Sequence, residues 1–436
     1  MHLCGKHVAI LGAGRSGRAA AALALREGAR VSVWDGAGAE ALVGMPAGVA
    51  LHPGATMEHA AAAACDLLVV SPGIDTYGAY VAAYARHAGE VIGEVELAAR
   101  CYAGRIIGIT GTNGKTTTTE LVARILGQGG LGGTACGNYG LPFSEVVLQD
   151  EPPATVALEL SSFQLETIRS LRPEVAVWLN FAPDHLDRYP TEEAYFTAKL
   201  RIFENQTAAD TAVVRAGESL PPLAAQLVTF STLDESAEWF SDGHIIYQRG
   251  VKQLDMERES GLRGLHNAEN AMAAMAACQA LGIPLAIMRE ALHGYAPPAH
   301  RCELIRTLDG VEYLNDSKAT NLHALESALR SQTRPVVLLA GGKDKGLDYS
   351  PVLPLLRAKA LACVTFGQIA EPLRQLFAPA VTCQAVPTLA AAISAARALA
   401  PRGSTVLLSP GTSSYDQFSG YEQRGNTFRD LVNQLR

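Results

Sequence analysis

Residues 105–119 read Arg-Ile-Ile-Gly-Ile-Thr-Gly-Thr-Asn-Gly-Lys-Thr-Thr-Thr-Thr, and this stretch restricts the fold more tightly than any other. Residues 106–110 form an apolar, β-branched run that predicts a buried strand. Gly111, Thr112, Asn113 and Gly114 predict a tight turn, and Leu121, Val122, Ile125 and Leu126 share one face of the adjoining helix. Such a turn aims several backbone N–H groups at one spot. The helix N-terminus adds partial positive charge, so an anion is favoured there. Lys115 supplies a full charge for terminal phosphates, the Thr116 hydroxyl suits Mg²⁺, and Thr117 completes the first turn. The general phosphate-loop pattern asks for glycine at position 109, where this chain has Ile109, so the motif is a variant. The alternative is an ordinary strand–turn–helix joint with a surface lysine. It leaves the joint placement of Gly111, Gly114, Lys115 and Thr116 without a reason.

Such a unit sits in a parallel sheet, and the chain has room for several. Its 436 residues exceed what one hydrophobic core covers and predict two or three domains. A net charge of −7 argues against nucleic acid as the main partner. The eight cysteines are scattered, so no zinc, redox-pair or cluster spacing exists, and they fit a reducing cytoplasm. The N-terminus enters a strand without the apolar run of a signal peptide, and no apolar run is long enough to span a membrane. A cytoplasmic protein without membrane contact is therefore expected.

Residues 1–93 read as a first domain. A strand at residues 7–11 runs into Gly12-Ala-Gly-Arg-Ser-Gly17, an Ala/Leu helix to Arg26, and a second strand ending in Asp35. This is a dinucleotide-type βαβ fingerprint. It fits a nicotinamide or flavin, another nucleotide such as a UDP moiety, or a glycine-rich packing turn. A later strand, 66–70, ends in Ser71-Pro-Gly-Ile74, a rigid turn where open α/β sheets place ligands.

Residues 94–298 read as a second domain. The turn Gly137-Asn-Tyr-Gly140 precedes a strand that carries Glu159 at its carboxyl end, where a phosphate-loop domain needs a metal ligand. Ser161 opens the next helix. The strand 175–180 leads to His185, flanked by Asp184 and Asp187, in a setting suited to metal or acid–base work. Thr191 caps a helix carrying Lys199, which taken alone reads as a surface lysine. A β-rich segment spans 207–262, and a long Ala/Met helix from about 264 to 281 presents Asn267 and Asn270 on one face. Pro297-Pro298 marks the boundary to a third domain, 299–436, whose strands end in Asn315-Asp-Ser-Lys-Ala-Thr-Asn321, Gly341-Gly342 and Ser409-Pro410. Strands alternating with helices predict a mostly parallel sheet in each domain.

Gly111-Thr-Asn-Gly-Lys-Thr-Thr117, Glu159-Leu-Ser-Ser162, His266-Asn-Ala-Glu-Asn270, His300-Arg301, Asn315-Asp-Ser-Lys-Ala-Thr-Asn321 and Gly341-Gly342 together resemble the Mur ligase superfamily. The resemblance runs collinearly along the whole chain. Ser71-Pro-Gly73, Asn138-Tyr-Gly-Leu-Pro142, Asn180-Phe-Ala-Pro-Asp-His-Leu-Asp187, Ser409-Pro410, Asp416-Gln-Phe418 and Glu422-Gln-Arg-Gly425 are most similar to its D-glutamate-adding branch. The resemblance implies an α/β protein with an N-terminal Rossmann-like sheet, a central P-loop-type ATPase domain and a C-terminal Rossmann-like domain. It also implies amide ligation in peptidoglycan precursor synthesis, driven by ATP. UDP-N-acetylmuramoyl-L-alanine would be activated as an acyl phosphate and D-glutamate would attack it through a tetrahedral intermediate.

Residue roles come from the same resemblance. ATP would meet Gly111, Thr112, Asn113, Gly114, Lys115, Thr116, Thr117, Asn267, Asn270, Arg301 and Asp316. Thr116 and Glu159 would hold one Mg²⁺, and His185 and Lys199 a second, with Lys199 carbamylated so that it offers oxygen. Gly14, Ser16, Asp35, Gly73, Asn138 and Ser161 would hold the UDP-sugar substrate, so the first fingerprint would not bind NAD. Lys318, Thr320, Lys345, Ser414 and Tyr421 would surround D-glutamate. Gly36 and Tyr421 stand where this branch more often carries a hydroxyl residue and Phe, and Lys343-Asp-Lys345 orders its charges differently. A monomer is expected. The competing readings are a sister Mur ligase or folylpolyglutamate-like ligase with another amino acid, a nicotinamide-dependent oxidoreductase, and a non-catalytic nucleotide switch.

Overall fold

The computed structural model describes residues 3–184, 188–262, 264–295 and 299–436. His185 and Asp187, Arg263, and the Pro297-Pro298 boundary lie outside the described residues. Residues 1–260 with 267–294 form one compact unit, and residues 261–266 with 295–436 form another. The first unit contains two sheets and the second contains one.

The first sheet is built from β1 (His7–Leu11), β2 (Arg30–Asp35), β3 (Ala50–Pro53), β4 (Cys65–Val70) and β5 (Ala88–Gly93). All pairings are parallel, in the order β3-β2-β1-β4-β5. The order reverses between β1 and β4, the point at which open α/β sheets form a ligand crevice at the strand carboxyl ends. Those turns are the Gly12–Gly17 fingerprint and Ser71-Pro-Gly-Ile74.

The second sheet runs through β6 (Arg105–Thr110), β7 (Gly132–Gly137), β8 (Thr155–Glu159), β9 (Val175–Trp178), β10 (Thr211–Arg215), β11 (Gln226–Ser231), β12 (Trp239–Ser241), β13 (Ile245–Gln248) and β14 (Val251–Asp255). Its order is β14-β13-β12-β11-β10-β9-β6-β8-β7, antiparallel only at the β12–β13–β14 end. Strands β6 and β8 are apolar between their ends and buried on both faces, as parallel strands sandwiched by helices must be. The chain builds β7 and β8 on one side of β6 before placing β9 on the other. The phosphate-loop turn and the loop after β9 therefore flank a second switch point.

Helix Glu94–Cys101 joins these two sheets. Glu94 accepts from the backbone N–H of Ser144 at 2.6 Å. Glu96 accepts from the backbone N–H groups of Arg169, Ser170 and Leu171 at 2.9–3.0 Å, from the Ser170 hydroxyl at 2.6 Å, and from Arg100 at 2.7 Å. Burial alone would raise the Glu96 carboxyl, but these donors hold it below the usual carboxylate range.

The second unit carries β15 (Glu303–Leu308), β16 (Val311–Asn315), β17 (Val336–Gly341), β18 (Ala360–Phe366), β19 (Thr382–Val386) and β20 (Thr405–Leu408). The order is β15-β16-β20-β17-β18-β19, and only β15–β16 is antiparallel. The last strand thus inserts between β16 and β17, which brings the three loops at their carboxyl ends side by side.

Candidate active site

At the carboxyl end of the second sheet, β9, β6, β8 and β7 lie next to one another. The turn after β6 depends on two glycines in the left-handed range, Gly111 at φ +150° and Gly114 at +86°. A side chain on Gly114 would strike Asn270 Oδ1 at 2.3 Å, so glycine is needed for approach as well as for conformation. The loop after β9 holds the turn. Thr112 N–H donates to the Asn180 carbonyl at 3.0 Å, Asn113 N–H to Asn180 Oδ1 at 2.9 Å, and the Thr112 hydroxyl to the Ala182 carbonyl at 3.0 Å. Lys115 folds back over the turn and donates to the carbonyls of Gly111 and Thr112 at 2.8 and 2.9 Å. Helix Leu265–Ala280 places Asn267 and Asn270 on one face, and the Thr118 hydroxyl donates to Asn270 Oδ1 at 3.3 Å.

Lys199 is not a surface lysine. It is 1% exposed, and its Nζ donates to the same Gly111 carbonyl that Lys115 uses, at 2.9 Å. It lies on helix Glu192–Leu200, started by the Thr191 cap, with its ammonium over the Tyr195 ring. Burial, and then repulsion from the Lys115 ammonium, hold its amine well below the ordinary lysine range. Glu159, 2% exposed at the end of β8, accepts from the Asn138 side-chain amide at 2.7 Å through Oε1. Its Oε2 is buried with no hydrogen-bond partner. A buried carboxylate oxygen left unsatisfied is costly unless something cationic meets it, and the site fits a hard metal ion on that ground. Ser161 stands two residues beyond Glu159. Its hydroxyl serves the capping box of helix Ser162–Leu165, paired with Gln164.

In the first sheet, Asp35 ties the turns after β1 and β2 together, accepting from the N–H groups of Ala13 at 2.7 Å and Ala37 at 2.8 Å. The Ser71 hydroxyl donates to the Gly12 carbonyl at 3.3 Å, so the turns after β1 and β4 touch. Gly14 and Gly73 face open space, and Ser16 is half-buried.

In the second unit, the loops after β16, β20 and β17 are stitched together. Asp316 N–H donates to the Leu408 carbonyl at 2.7 Å, Gly411 N–H to Ala319 at 2.9 Å, and Lys343 N–H to Ser413 at 2.9 Å. Asp316 accepts from the Ser409 hydroxyl at 2.9 Å and from Cys302 N–H at 3.2 Å. Burial pushes its carboxyl up to about 7. Burial, and then the nearby Arg301 guanidinium, push the His266 imidazole down to about 4. Lys318 lies over the Tyr421 ring at 3.8 Å, Lys345 reaches the Thr320 carbonyl at 3.3 Å, and Ser414 is buried on the loop after β20. Of the residues expected around an amino acid, Lys318 thus meets Tyr421 and Lys345 meets Thr320.

Three successive regions match known families: residues 6–93 the Mur ligase MurD-like N-terminal domain, 109–278 the Mur ligase middle domain, and 300–411 the Mur ligase glutamate ligase domain. The UDP-N-acetylmuramoylalanine--D-glutamate ligase of Myxococcus xanthus is 41% identical over 99% of this chain and 99% of its own. The enzyme of that name from Geobacter metallireducens is 39% identical over 100% of this chain and 99% of its own.

The chain belongs to the Mur ligase family.

Solved ligase structures share its fold at low identity. A pseudomurein peptide ligase type C from Methanothermus fervidus superimposes with a TM-score of 0.61 at 16% identity, covering 99% of this chain and 100% of its own. A UDP-N-acetylmuramate-alanine ligase from Thermotoga maritima gives 0.59 at 18% identity, covering 98% and 99%. Within this Mur ligase the structure brings Gly111, Thr112, Asn113, Gly114, Lys115, Lys199, Asn267 and Asn270 around one turn, with Glu159 and Asn138 paired at neighbouring strand ends. Thr116 and Thr117 occupy the first turn of helix Lys115–Gln128. Sequence reasoning gave Asn138 a substrate role, and in the structure one N–H of its amide donates to Glu159 Oε1. It missed Asn180, whose side chain fixes the phosphate-loop turn. Its place on a strand-end loop beside a switch point was the available signal.

Proposed function

We propose that this protein is an ATP-dependent amide ligase that joins D-glutamate to UDP-N-acetylmuramoyl-L-alanine in peptidoglycan precursor synthesis. One observation carries the reading: relatives named for that reaction align over 99% and 100% of this chain, at 41% and 39% identity. A carboxylate is a poor electrophile at neutral pH. Attack of the alanyl carboxylate on the γ-phosphate of ATP forms an acyl phosphate and releases ADP. The amine of D-glutamate then adds to the acyl carbon, and the tetrahedral intermediate expels phosphate. Positioning and charge neutralisation are what the protein must provide.

In this reading Lys115 and the N–H groups of residues 111–117 cradle the β- and γ-phosphates, with Arg301 at the γ-phosphate and Asn267, Asn270 and Asp316 at the adenosine. Thr116 and Glu159 would hold one Mg²⁺, the unpaired Glu159 Oε2 being the atom suited to it. His185 and Lys199 would hold a second. The depressed amine of Lys199 is the neutral form that adds to carbon dioxide, losing a proton and gaining a carbamate oxygen. Bound Mg²⁺ supplies charge neutralisation on the transferring phosphoryl group. Gly14, Ser16, Asp35, Gly73, Asn138 and Ser161 hold the UDP-sugar, and Lys318, Thr320, Lys345, Ser414 and Tyr421 hold D-glutamate. Domains at 1–93, 94–298 and 299–436 divide these tasks. This reading places it in the cytoplasm, where ATP and a UDP-linked precursor are available, and takes it to be a monomer. Among the described residues no helix is long and apolar enough to cross a membrane.

The test is phosphate release with ATP and UDP-N-acetylmuramoyl-L-alanine across D-glutamate, L-glutamate, D-aspartate, L-lysine and diaminopimelate. D-Glutamate alone should support turnover. Release with another of these amino acids instead would favour the sister-ligase reading.

A further inference from the structure

The loop that holds the phosphate-loop turn leads, at Arg188, to a contact with the first sheet. Arg188 is mostly buried, and its guanidinium donates to the carbonyl of Pro72 at 3.0 Å and to that of Ile74 at 3.1 Å. These two carbonyls flank Gly73. The same guanidinium pairs with the fully buried Glu166 at 3.1 Å and lies 3.9 Å from the centre of the Phe163 ring. The Tyr189 hydroxyl donates to the other oxygen of Glu166. Arg188 is thereby held from one side by the second sheet's elements while it grips a turn of the first sheet.

The grip leaves the ligand side of that turn free. A Cβ placed on Gly73 would meet nothing within 4 Å. The turn also leans on the fingerprint, where a Cβ on Gly12 would strike Ser71 Oγ at 2.8 Å. Bracing residues 72–74 therefore braces the Gly12–Gly17 turn through Ser71. On the other side, Asn180 and Ala182 of the preceding loop bond the phosphate-loop turn. Asn180 and Ala182 thus touch the phosphate-loop turn, and Arg188 touches the turn that borders the first sheet's crevice.

We infer that Arg188 is a positioning residue for the UDP-sugar substrate: by clamping the carbonyls on either side of Gly73 it fixes the first crevice at a set distance from the phosphate loop. The assignment rests on the ligase reading above. Its energetic logic is a forked, charge-assisted contact that only a guanidinium makes. Lysine keeps a positive charge opposite Glu166 but cannot serve two carbonyls and a carboxylate in one plane.

The experiment is steady-state phosphate release by wild type, Arg188→Lys, and the double variant Arg188→Met/Glu166→Gln, which leaves no stranded buried charge should the lysine variant fold poorly. Amide exchange of Gly73 and Ile74 is measured alongside. The expected result is a KM for UDP-N-acetylmuramoyl-L-alanine raised about tenfold, the scale of one lost hydrogen bond to a charged group, with the KM values for ATP and D-glutamate unchanged. Exchange at residues 73 and 74 should quicken while that of residues 111–114 stays as in wild type. Unchanged KM for the UDP substrate overturns the assignment, and so does an equal rise in all three KM values, which would mark a general structural role. Wild-type protein that releases no phosphate with these substrates would instead bring down the ligase reading, and this inference with it.

Discussion

Two lysine side chains share the carbonyl of Gly111, one partly exposed and one buried. The buried one, Lys199, has its charge disfavoured by burial and by Lys115. Lys199→Ala should cut turnover by a factor on the order of a hundred to a thousand, the scale of one preorganised electrostatic group. Short-chain carboxylates should restore part of it, since they return the oxygen ligand. Rescue by methylamine instead would mean that the amine itself is needed. Asp316 gives a pH prediction. Its folded-state value near 7 lies above the ordinary carboxyl value, so its contribution to stability is full below about pH 4 and is lost as pH rises through 7. Asp316→Asn cannot ionise, and its melting midpoint should fall less than that of wild type between about pH 4 and pH 8. Parallel curves for the two proteins would contradict this. At this scale the sequence showed which residue types gather at strand ends. It did not show that Lys199 is buried or that Asn138 serves Glu159, because both depend on partners 88 and 21 residues away.

Among the elements, helix Glu94–Cys101 joins the first two sheets. Glu96 answers three backbone N–H groups of a turn that has no other strand or helix to satisfy it. Glu96→Ala strands those donors and Arg100 together, and should cost about 3 kcal/mol, read as a lower denaturant midpoint. Glu96→Gln should cost less, because an amide oxygen still accepts. Since the Glu96 carboxyl sits below its usual range, the stability it contributes is present at neutral pH and is lost as pH falls through that lowered value. The central strands were legible for a physical reason: β1, β6, β8 and β17 are buried on both faces and so carry apolar runs between their ends. Strands β3, β5, β7 and β19 were not. Each lies at a sheet edge, and their sequences, such as Gly-Gly-Thr-Ala-Cys-Gly in β7, carry no strong strand preference. Their pairing partners decide them.

For the whole molecule, the proposed ligand sites divide between the units, and binding should protect them separately. UDP-N-acetylmuramoyl-L-alanine should slow amide exchange at residues 12–17 and 73–74, and D-glutamate at 316–321 and 411–414, as binding to the native state alone requires. Protection of the second group by the UDP substrate alone would contradict the division. The three-sheet architecture was readable from alternating strand and helix patterns. The interleaving of segments was not, since residues 261–266 carry no local pattern that sets them apart from their neighbours along the chain. That interleaving bears on genetic dissection. Residues 261–266 count with the second unit while 267–294 return to the first. A gene divided between codons 298 and 299 would encode two polypeptides that each look like whole domains. The upstream fragment would nonetheless carry away six residues that belong to the downstream fold. Co-expressing such halves should complement better when the downstream half begins at codon 261 and the upstream half still ends at 298, so that residues 261–266 are supplied to both.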